Sequence, residues 1–301
     1  MTTIDVPLKY SNTEEFITPP HAFCAGCGLA LALRYCLKVL GDKIVLVPTA
    51  GCTGPGAGRS MIHNGKPIDS IGSPFGNIAM FAGGISTALK AQGDDETLVV
   101  GWGGDGATFD IGFGGISASA ERNEDMLFIC VDNEGYQNTG NQRSSASPWM
   151  STNATNPTGF TKMEFKKDID TILAAHRIPY AAAASVGYPE DLMAKVAKAK
   201  SKKGFRFIHI YVPCPSGWGC ASELTMEIAR LAVDTKVFPI FEVEDGVHMT
   251  ITRQPKGLPL SDYIKTQRRF NGMSDEDLAR FERSVEQRWQ RLQFLASYKE
   301  L

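Results

Sequence analysis

The sequence lacks a long apolar run and an excess of charge of one sign. Its apolar residues never form the uninterrupted stretch of about 18 that a membrane-spanning helix needs. The 31 basic and 33 acidic side chains give a net charge of -2, which provides no broad basic surface for nucleic acid or anionic lipid. Residues 1–11 also lack the apolar core of a secretion signal. We therefore expect a cytoplasmic protein with no nucleic-acid or membrane partner.

A framework of disulfide bonds is not expected either. The 7 cysteines are an odd number in a chain without a secretion signal, which favours metal ligation or buried thiols. Cys36 falls in an Ala/Leu-rich helical segment and Cys130 inside an apolar strand, so both are predicted to be core thiols. The candidate ligands are then Cys24, Cys27, Cys52, Cys214 and Cys220.

Short β-branched runs alternate with helical patterns along most of the chain. The predicted strands cover 44–48, 97–102, 126–132 and 205–212, and the predicted helices cover 83–92, 112–122, 189–200 and 222–234. This rhythm predicts an α/β fold with a doubly wound, mainly parallel sheet. We expect an N-terminal arm over 1–20, a domain over 21–245 and a helical C-terminal extension over 246–301 that ends in an amphipathic helix. A polar segment over 142–160 is predicted to be a long, ordered loop near the site.

A glycine-rich loop follows the second predicted strand. Gly104, Asp105 and Gly106 lie between that strand and a helix, where exposed backbone N–H groups and the helix dipole stabilise a diphosphate. The carboxylate of Asp105 is a hard oxygen ligand suited to Mg²⁺. The next apolar strand ends at Asp132 and delivers Asn133 to the same edge of the sheet, so both motifs can share one metal ion.

This pairing resembles the thiamine diphosphate motif. The resemblance implies that Asp105, the Asn133 side chain and the Gly135 carbonyl bind Mg²⁺, and that the diphosphate is lined by Gly104, Gly106, Ala107 and Thr139. A tight turn with Asp105 as a helix cap would explain the first motif but not the pairing. A nicotinamide-binding domain fits less well, because the loop lacks the Gly-x-Gly-x-x-Gly spacing.

The cysteines suggest a second site beside the first. Cys24-Ala-Gly-Cys27 places two thiolates on one turn, which suits either zinc or an iron–sulfur cluster. Cys52 and Cys214 each follow a predicted strand, and Cys220 is a rival to Cys214 because it lies only six residues later. Four thiolates beside a redox cofactor favour a 4Fe-4S cluster, since zinc cannot accept electrons.

Five motifs in order resemble the β subunit of the 2-oxoacid:ferredoxin oxidoreductases, of which pyruvate synthase is the familiar member. They are Cys24-Ala-Gly-Cys27-Gly, the Cys52 loop, Gly104-Asp105-Gly106, the segment from Asp132 to Ser145, and Pro213-Cys214-Pro215-Ser216-Gly217-Trp218. The resemblance implies thiamine diphosphate, Mg²⁺ and one 4Fe-4S cluster on Cys24, Cys27, Cys52 and Cys214. It also implies that Cys52 lies near the thiamine, and that Asn138 lies near the reacting carbon and the substrate.

The resemblance further implies oxidative decarboxylation of a 2-oxoacid, with electrons passed through the cluster to ferredoxin. Pyruvate is the expected substrate by base rate, while an aryl or branched-chain 2-oxoacid or oxalate stays open, as does coenzyme A as acyl acceptor. No glutamate in the chain matches the motif that activates thiamine. An α-type subunit is therefore expected to supply it, alongside ferredoxin-like γ- and δ-type subunits or domains.

Two features depart from the family pattern. Leu29 replaces an acidic residue that some relatives carry, and the loop after Cys52 is unusually rich in glycine and proline, which makes pyruvate less secure. His63 is predicted to be a surface-loop residue rather than a substrate contact. The alternatives are a non-redox thiamine decarboxylase or carboligase with zinc or no metal at the cysteines, and an electron-transfer subunit without thiamine. Iron and thiamine content would distinguish them.

Overall fold

The computed structural model describes residues 14–54, 62–63 and 66–298, with the side chains at 62, 63 and 66 excepted. Its main sheet is formed by seven strands: β1 (Ile44–Pro48), β4 (Leu98–Gly104), β5 (Met126–Asp132), β6 (Tyr180–Ser185), β7 (Phe205–Tyr211), β8 (Phe241–Glu244) and β9 (His248–Ile251), while β2 (Ile62–His63) and β3 (Lys66–Pro67) form a separate pair. The strand order in the main sheet is β1-β4-β5-β7-β6-β8-β9. The first five strands in this order are parallel, while β8 runs antiparallel to β6 and β9 antiparallel to β8.

Helices cover both faces of the sheet. They are α1 (Gly28–Leu40), α2 (Ile78–Ala91), α3 (Phe113–Glu121), α4 (Ile169–Ala174), α5 (Pro189–Ser201), α6 (Pro215–Trp218), α7 (Thr225–Asp234), α8 (Leu260–Ile264) and α9 (Asp275–Ser297). A π-helical turn spans Gly106–Ile111, and short 3₁₀ turns span Ser222–Leu224 and Arg268–Phe270. No helix in the described ranges is long and apolar enough to cross a bilayer.

The central strands are buried on both faces, as parallel strands between helical layers must be. Along β5, Phe128 and Cys130 belong to one core cluster and Leu127 and Ile129 to the other. The first cluster includes α2, α3 and α9, and the second includes α1 and α5. The predicted doubly wound α/β fold is confirmed, and Cys36 and Cys130 are the predicted core thiols, each 0% exposed.

The C-terminal segment packs on the sheet. Its strand β9 completes the sheet edge, and α9 buries Phe281, Trp289 and Leu292. A capping box between Ser274 and Asp277 fixes the start of α9. The predicted boundary at 245 falls in the turn between β8 and β9. The division into three segments stays a prediction.

Candidate active site

A cleft of about 280 Å³ lies at the carboxyl ends of β1, β4 and β5. Ligand sites in doubly wound sheets lie at this edge, because the loops that follow the strands are free to vary there. Eight of the nine predicted cofactor-binding residues line the cleft: Cys52, Gly104, Asp105, Gly106, Asn133, Gly135, Asn138 and Thr139. The ninth, Ala107, is 1% exposed and packs into the core beneath the loop.

Asp105 lies at the end of β4, directly before the π-helical turn, and its carboxylate is buried. The Ser144 hydroxyl, from the long loop after β5, donates to Oδ2 of Asp105. Burial raises the pKa of Asp105 well above its usual range, and the nearby Asp132 carboxylate adds to the effect. A buried carboxylate with such a pKa is stabilised in its charged form when a cation binds beside it.

The Asn133 side chain completes a cluster of oxygen atoms with Asp105. The Asn133 amide lies 3.0 Å from Oδ1 of Asp105 and 2.9 Å from the Gly135 carbonyl oxygen. Its nitrogen donates to both acceptors when turned toward them. With the amide turned the other way, its oxygen lies at these same distances from the two other oxygens, and both separations match the edge of an octahedron with Mg–O bonds of about 2.1 Å. The residues present therefore fit a magnesium ion.

A buried ionic network holds the loop that carries Asn133. Oδ1 of Asp132 accepts from the Glu134 backbone N–H at 2.8 Å, and this closes a turn in which Glu134 has a φ of +60°. Lys166 donates to Asp132 and to Glu134, while Nε2 of His209 lies 2.8 Å from Asp132. Burial raises the pKa of Asp132, but Lys166 and His209 outweigh it and lower the pKa to about 2. These contacts hold Asp132 and Glu134, the two neighbours of Asn133, in place.

His209, on β7, lies between the carboxylates of Asp132 and Asp170. Burial lowers its pKa, but Asp170 and Asp132 raise it more strongly, to about 9. The imidazole is therefore a buried cation at neutral pH, and it stabilises the end of β5. It does not line the cleft.

The glycines and polar residues of the cleft rim have distinct surroundings. A methyl group at Gly106 would come within 2.4 Å of the Tyr136 ring, so only glycine fits there. Asn138 and Thr139 are exposed at the rim, where a ligand can reach them. The side chain of His63 is not among those that the structure describes, so its predicted role lies outside the described residues.

The cysteine loops meet beside the cleft. The backbone N–H of Gly28 donates to the Pro213 carbonyl at 3.1 Å, which places the Cys24–Cys27 turn against the Cys214 loop. All seven cysteines have free thiols. Within the described residues, no three His, Cys, Asp or Glu side chains converge closely enough to hold a single metal ion. A 4Fe-4S cluster binds one thiolate on each iron and is larger than a single ion, so the cluster stays a prediction.

The thiols nevertheless influence one another. Burial raises the pKa of Cys52, and the nearby thiols of Cys214, Cys27 and Cys24 add to the effect, which brings the pKa to about 12. Burial also raises the pKa of Cys27, with added effects from Cys214 and Cys24. Among these thiols, Cys220 is affected by Cys214 alone. Electrostatic effects therefore connect Cys214 to the other three predicted ligands, while the choice between Cys214 and Cys220 as the fourth ligand stays a prediction.

Several residues at the site have no role in the sequence prediction. The cleft is also lined by Ala50, Gly51, Thr53, Phe75, Val131, Tyr136 and Gln137, and by Leu29, the predicted departure from the family pattern. Most of these lie within or next to the predicted motifs, so their proximity could have been inferred. Lys166 and Arg269, which contact Glu134 from distant parts of the chain, carry no local signal in the sequence.

Comparisons with known proteins identify relatives of this chain. A family described as "thiamine pyrophosphate enzyme, C-terminal TPP binding domain" matches residues 50–210. The pyruvate synthase subunit PorB of Methanothermobacter thermautotrophicus is 41% identical over 281 residues, which cover 91% of this chain and 96% of the relative. The ketoisovalerate oxidoreductase subunit VorB of Pyrococcus abyssi is 42% identical over 293 residues and covers 94% of each chain.

A more distant relative and a solved structure extend the comparison. The β subunit of the NADH-dependent phenylglyoxylate dehydrogenase of Aromatoleum evansii is 37% identical and covers 95% of this chain and 65% of the relative. The 2-oxoglutarate:ferredoxin oxidoreductase of Magnetococcus marinus superposes with a TM-score of 0.57 at 21% identity, covering 74% of this chain and 83% of the other. At that identity, the superposition shows a shared fold.

Proposed function

This chain belongs to the thiamine diphosphate-binding β subunits of the 2-oxoacid:ferredoxin oxidoreductases. We propose that it binds both thiamine diphosphate and an iron–sulfur cluster, and that it forms one part of an active site shared with another subunit. Asp105, Asn133 and Gly135 hold Mg²⁺, and Cys24, Cys27, Cys52 and Cys214 hold one 4Fe-4S cluster. The assembled enzyme oxidatively decarboxylates a 2-oxoacid and passes the electrons to ferredoxin.

The position of Cys52 carries this proposal. Cys52 lines the same cleft as Asp105, and its thiol is also influenced by the thiols of Cys24, Cys27 and Cys214. A cluster ligand at the cleft wall gives electrons a short path from the organic cofactor. A zinc ion in the same place could not accept them.

The chain's own residues position the cofactor and substrate. Thiamine diphosphate, when bound, supplies the stabilisation of negative charge that decarboxylation needs. The backbone of Gly104 at the end of β4 and of Gly106 and Ala107 at the start of the π-helical turn, together with Thr139, would bind the diphosphate. The exposed amide of Asn138 at the cleft rim offers hydrogen bonds to the substrate's polar groups.

The substrate is proposed to be a 2-oxoacid with an uncharged side chain, and pyruvate is the leading candidate. Leu29, Phe75 and Val131 contribute apolar surface to the cleft, which disfavours a second carboxylate there. Rates with pyruvate, ketoisovalerate, phenylglyoxylate and 2-oxoglutarate would rank the candidates. Faster turnover of 2-oxoglutarate than of pyruvate would contradict the assignment.

The chain works as part of a multi-subunit enzyme. No glutamate occurs among the described residues that line the cleft, so we propose that an α-type subunit supplies the carboxylate that activates thiamine. Ferredoxin-like γ- and δ-type subunits or domains then carry the electrons from the cluster to ferredoxin. Coenzyme A is the proposed acyl acceptor.

Metal and cofactor analysis of two cysteine variants tests the proposal. The complex is purified without oxygen and assayed for iron, sulfide, zinc and thiamine diphosphate. We expect about four irons per chain, loss of iron in Cys214→Ser, and retention of iron in the matched control Cys220→Ser.

Other results would overturn the proposal. Zinc or no metal with thiamine retained would indicate a non-redox decarboxylase or carboligase. Iron without thiamine would indicate an electron-transfer subunit. Iron loss in Cys220→Ser alone would move the fourth ligand to Cys220.

A further inference from the structure

Arg269 reaches the site from outside the segment that matches the thiamine-binding family. It lies in the 3₁₀ turn after α8, beyond residue 210, yet it is only 5% exposed. Its Nη2 donates to Oε2 of Glu134 at 2.6 Å and to the Tyr263 hydroxyl at 3.0 Å, and its Nε donates to Gln267 at 2.9 Å. Such a guanidinium is fixed in place by several partners at once.

The same guanidinium lies over the indole ring of Trp218. Its Cζ is 3.8 Å from the ring centroid, within the range of a cation–π contact. Trp218 is 1% exposed and ends α6, four residues after Cys214. Its Nε1 donates to the backbone carbonyl of Asn133 at 2.9 Å. Arg269 therefore contacts the Asn133 loop through Glu134 and the Cys214 loop through Trp218.

One further hydrogen bond joins these loops to each other, from Nδ2 of Asn141 to the Gly217 carbonyl at 3.0 Å. Within the Asn133 loop, Nε2 of Gln137 donates to the Asn133 carbonyl at 3.1 Å. The Asn133 carbonyl thus accepts from both loops. A methyl group at Gly217 would come within 1.8 Å of the Gln137 side chain, so the loops pack in direct contact.

We propose that Arg269 is a positioning residue that locks the magnesium-binding Asn133 loop to the cluster-binding Cys214 loop, and so fixes the separation of the two cofactors. This inference rests on the proposed function, because it presumes that both cofactors bind. The C-terminal segment is then part of the active-site architecture, although none of its residues up to 298 lines the cleft.

The charge of Arg269 has a second consequence. Its guanidinium lies over Trp218, in the short helix that begins directly after Cys214. A fixed cation beside a cluster ligand stabilises the more negative, reduced form of the cluster. The side chain therefore affects both the geometry and the reduction potential.

Three variants of the assembled enzyme test the proposal. Trp218→Phe keeps the aromatic surface but removes the hydrogen bond to Asn133, so we expect the Kd of thiamine diphosphate to rise about fivefold. Arg269→Gln removes the charge and the bond to Glu134, so we expect about a tenfold rise in Kd and a more negative cluster potential in redox-titrated EPR. Arg269→Lys restores the potential but not the affinity.

Matched controls separate positioning from stability. Arg206 is 1% exposed and pairs with Asp125 at the amino ends of the strands, away from the cleft. Trp149 is also 1% exposed, and its indole N–H has no partner among the described residues. Arg206→Gln and Trp149→Phe should lower the melting temperature and leave Kd and potential unchanged.

The outcomes distinguish the two proposals. Parental Kd and potential in both Arg269→Gln and Trp218→Phe would overturn the positioning role. Equal effects in the Arg206→Gln control would reduce Arg269 to a structural residue. A parent complex without iron or thiamine would instead overturn the proposed function.

Discussion

At the residue scale, the buried carboxylate of Asp105 opposes the stability of the cofactor-free protein. Its pKa is raised mainly by burial, and the neighbouring Asp132 carboxylate is already ionised. A carboxyl group whose folded-state pKa lies above its unfolded value favours folding fully at pH below the unfolded value. That contribution is lost as the pH rises through the folded-state pKa. The residue that suits magnesium binding is therefore unfavourable without the metal.

Asp105→Asn should therefore separate stability from cofactor binding. In cofactor-free protein, we expect the variant to be more stable than the parent by about 1–3 kcal/mol at neutral pH, with the gain vanishing toward acid pH as Asp105 becomes protonated. With Mg²⁺ present, we expect the Kd of thiamine diphosphate to rise about 100-fold or more. Thermal unfolding across pH and calorimetric titration measure the two effects.

Asp125→Asn is the matched control for this prediction. Asp125 pairs with Arg206, and its pKa is lowered because Lys90 and Arg206 outweigh its partial burial. Its loss should decrease stability at neutral pH and leave cofactor affinity unchanged. A less stable Asp105→Asn protein at neutral pH would contradict the argument.

The limits of prediction at this scale follow from sequence separation. Asp105 and Asn133 come directly after strands and Cys52 follows shortly after β1, so their meeting at one sheet edge could be inferred from the motifs. Arg269 lies 135 residues from its partner Glu134. Nothing near Arg269 in the sequence indicates that contact, because it depends on how the C-terminal segment packs.

At the element scale, the strands that precede the motifs were predictable and β6 was not. The predicted strand 126–132 coincides with β5, and the predicted strand 44–48 coincides with β1. β6 contains four consecutive alanines, and alanine favours helices in isolation. Burial between β7 and β8 overrides that preference. The predicted helix over 222–234 similarly begins with a 3₁₀ turn, and its α-helical part starts at Thr225.

The alanines of β6 should tolerate no larger side chain. Ala183 is 0% exposed, and its carbonyl accepts from the buried Lys195 ammonium at 2.8 Å. Ala183→Leu should lower the free energy of unfolding by about 1–3 kcal/mol, because overpacking displaces neighbouring side chains. Ala88→Leu on the exposed face of α2 should change it by less than about 0.5 kcal/mol. Urea unfolding of both variants tests this, and equal midpoints would contradict a tightly packed β6.

At the scale of the whole molecule, an apolar surface adjoins the cleft. Phe75 lines the cleft, and a methyl group at the adjacent Gly76 would lie 3.2 Å from Ile111. Ile111 is 66% exposed, and Met80 and Phe81 on α2 are also exposed. Exposed apolar patches of this kind mark protein interfaces. We expect the α-type subunit to cover this surface and bring its carboxylate to the cleft.

Ile111→Glu should therefore prevent assembly without unfolding the chain. A charge at the centre of an apolar interface loses its hydration on association, so we expect the affinity for the α-type subunit to fall at least tenfold. Phe294 is 72% exposed on α9, which packs beside β9 at the far end of the sheet, so Phe294→Glu is the matched control. Size-exclusion chromatography with light scattering measures assembly, and circular dichroism checks that both variants are folded.

An activity assay tests the same interface. We expect the parent chain alone to lack decarboxylase activity and to gain it with the α-type subunit. Phe294→Glu should behave like the parent, and Ile111→Glu should stay inactive at the same subunit concentration. Decarboxylation by the isolated parent chain would show that the catalytic carboxylate lies within this chain, and normal assembly of Ile111→Glu would place the subunit interface on another surface.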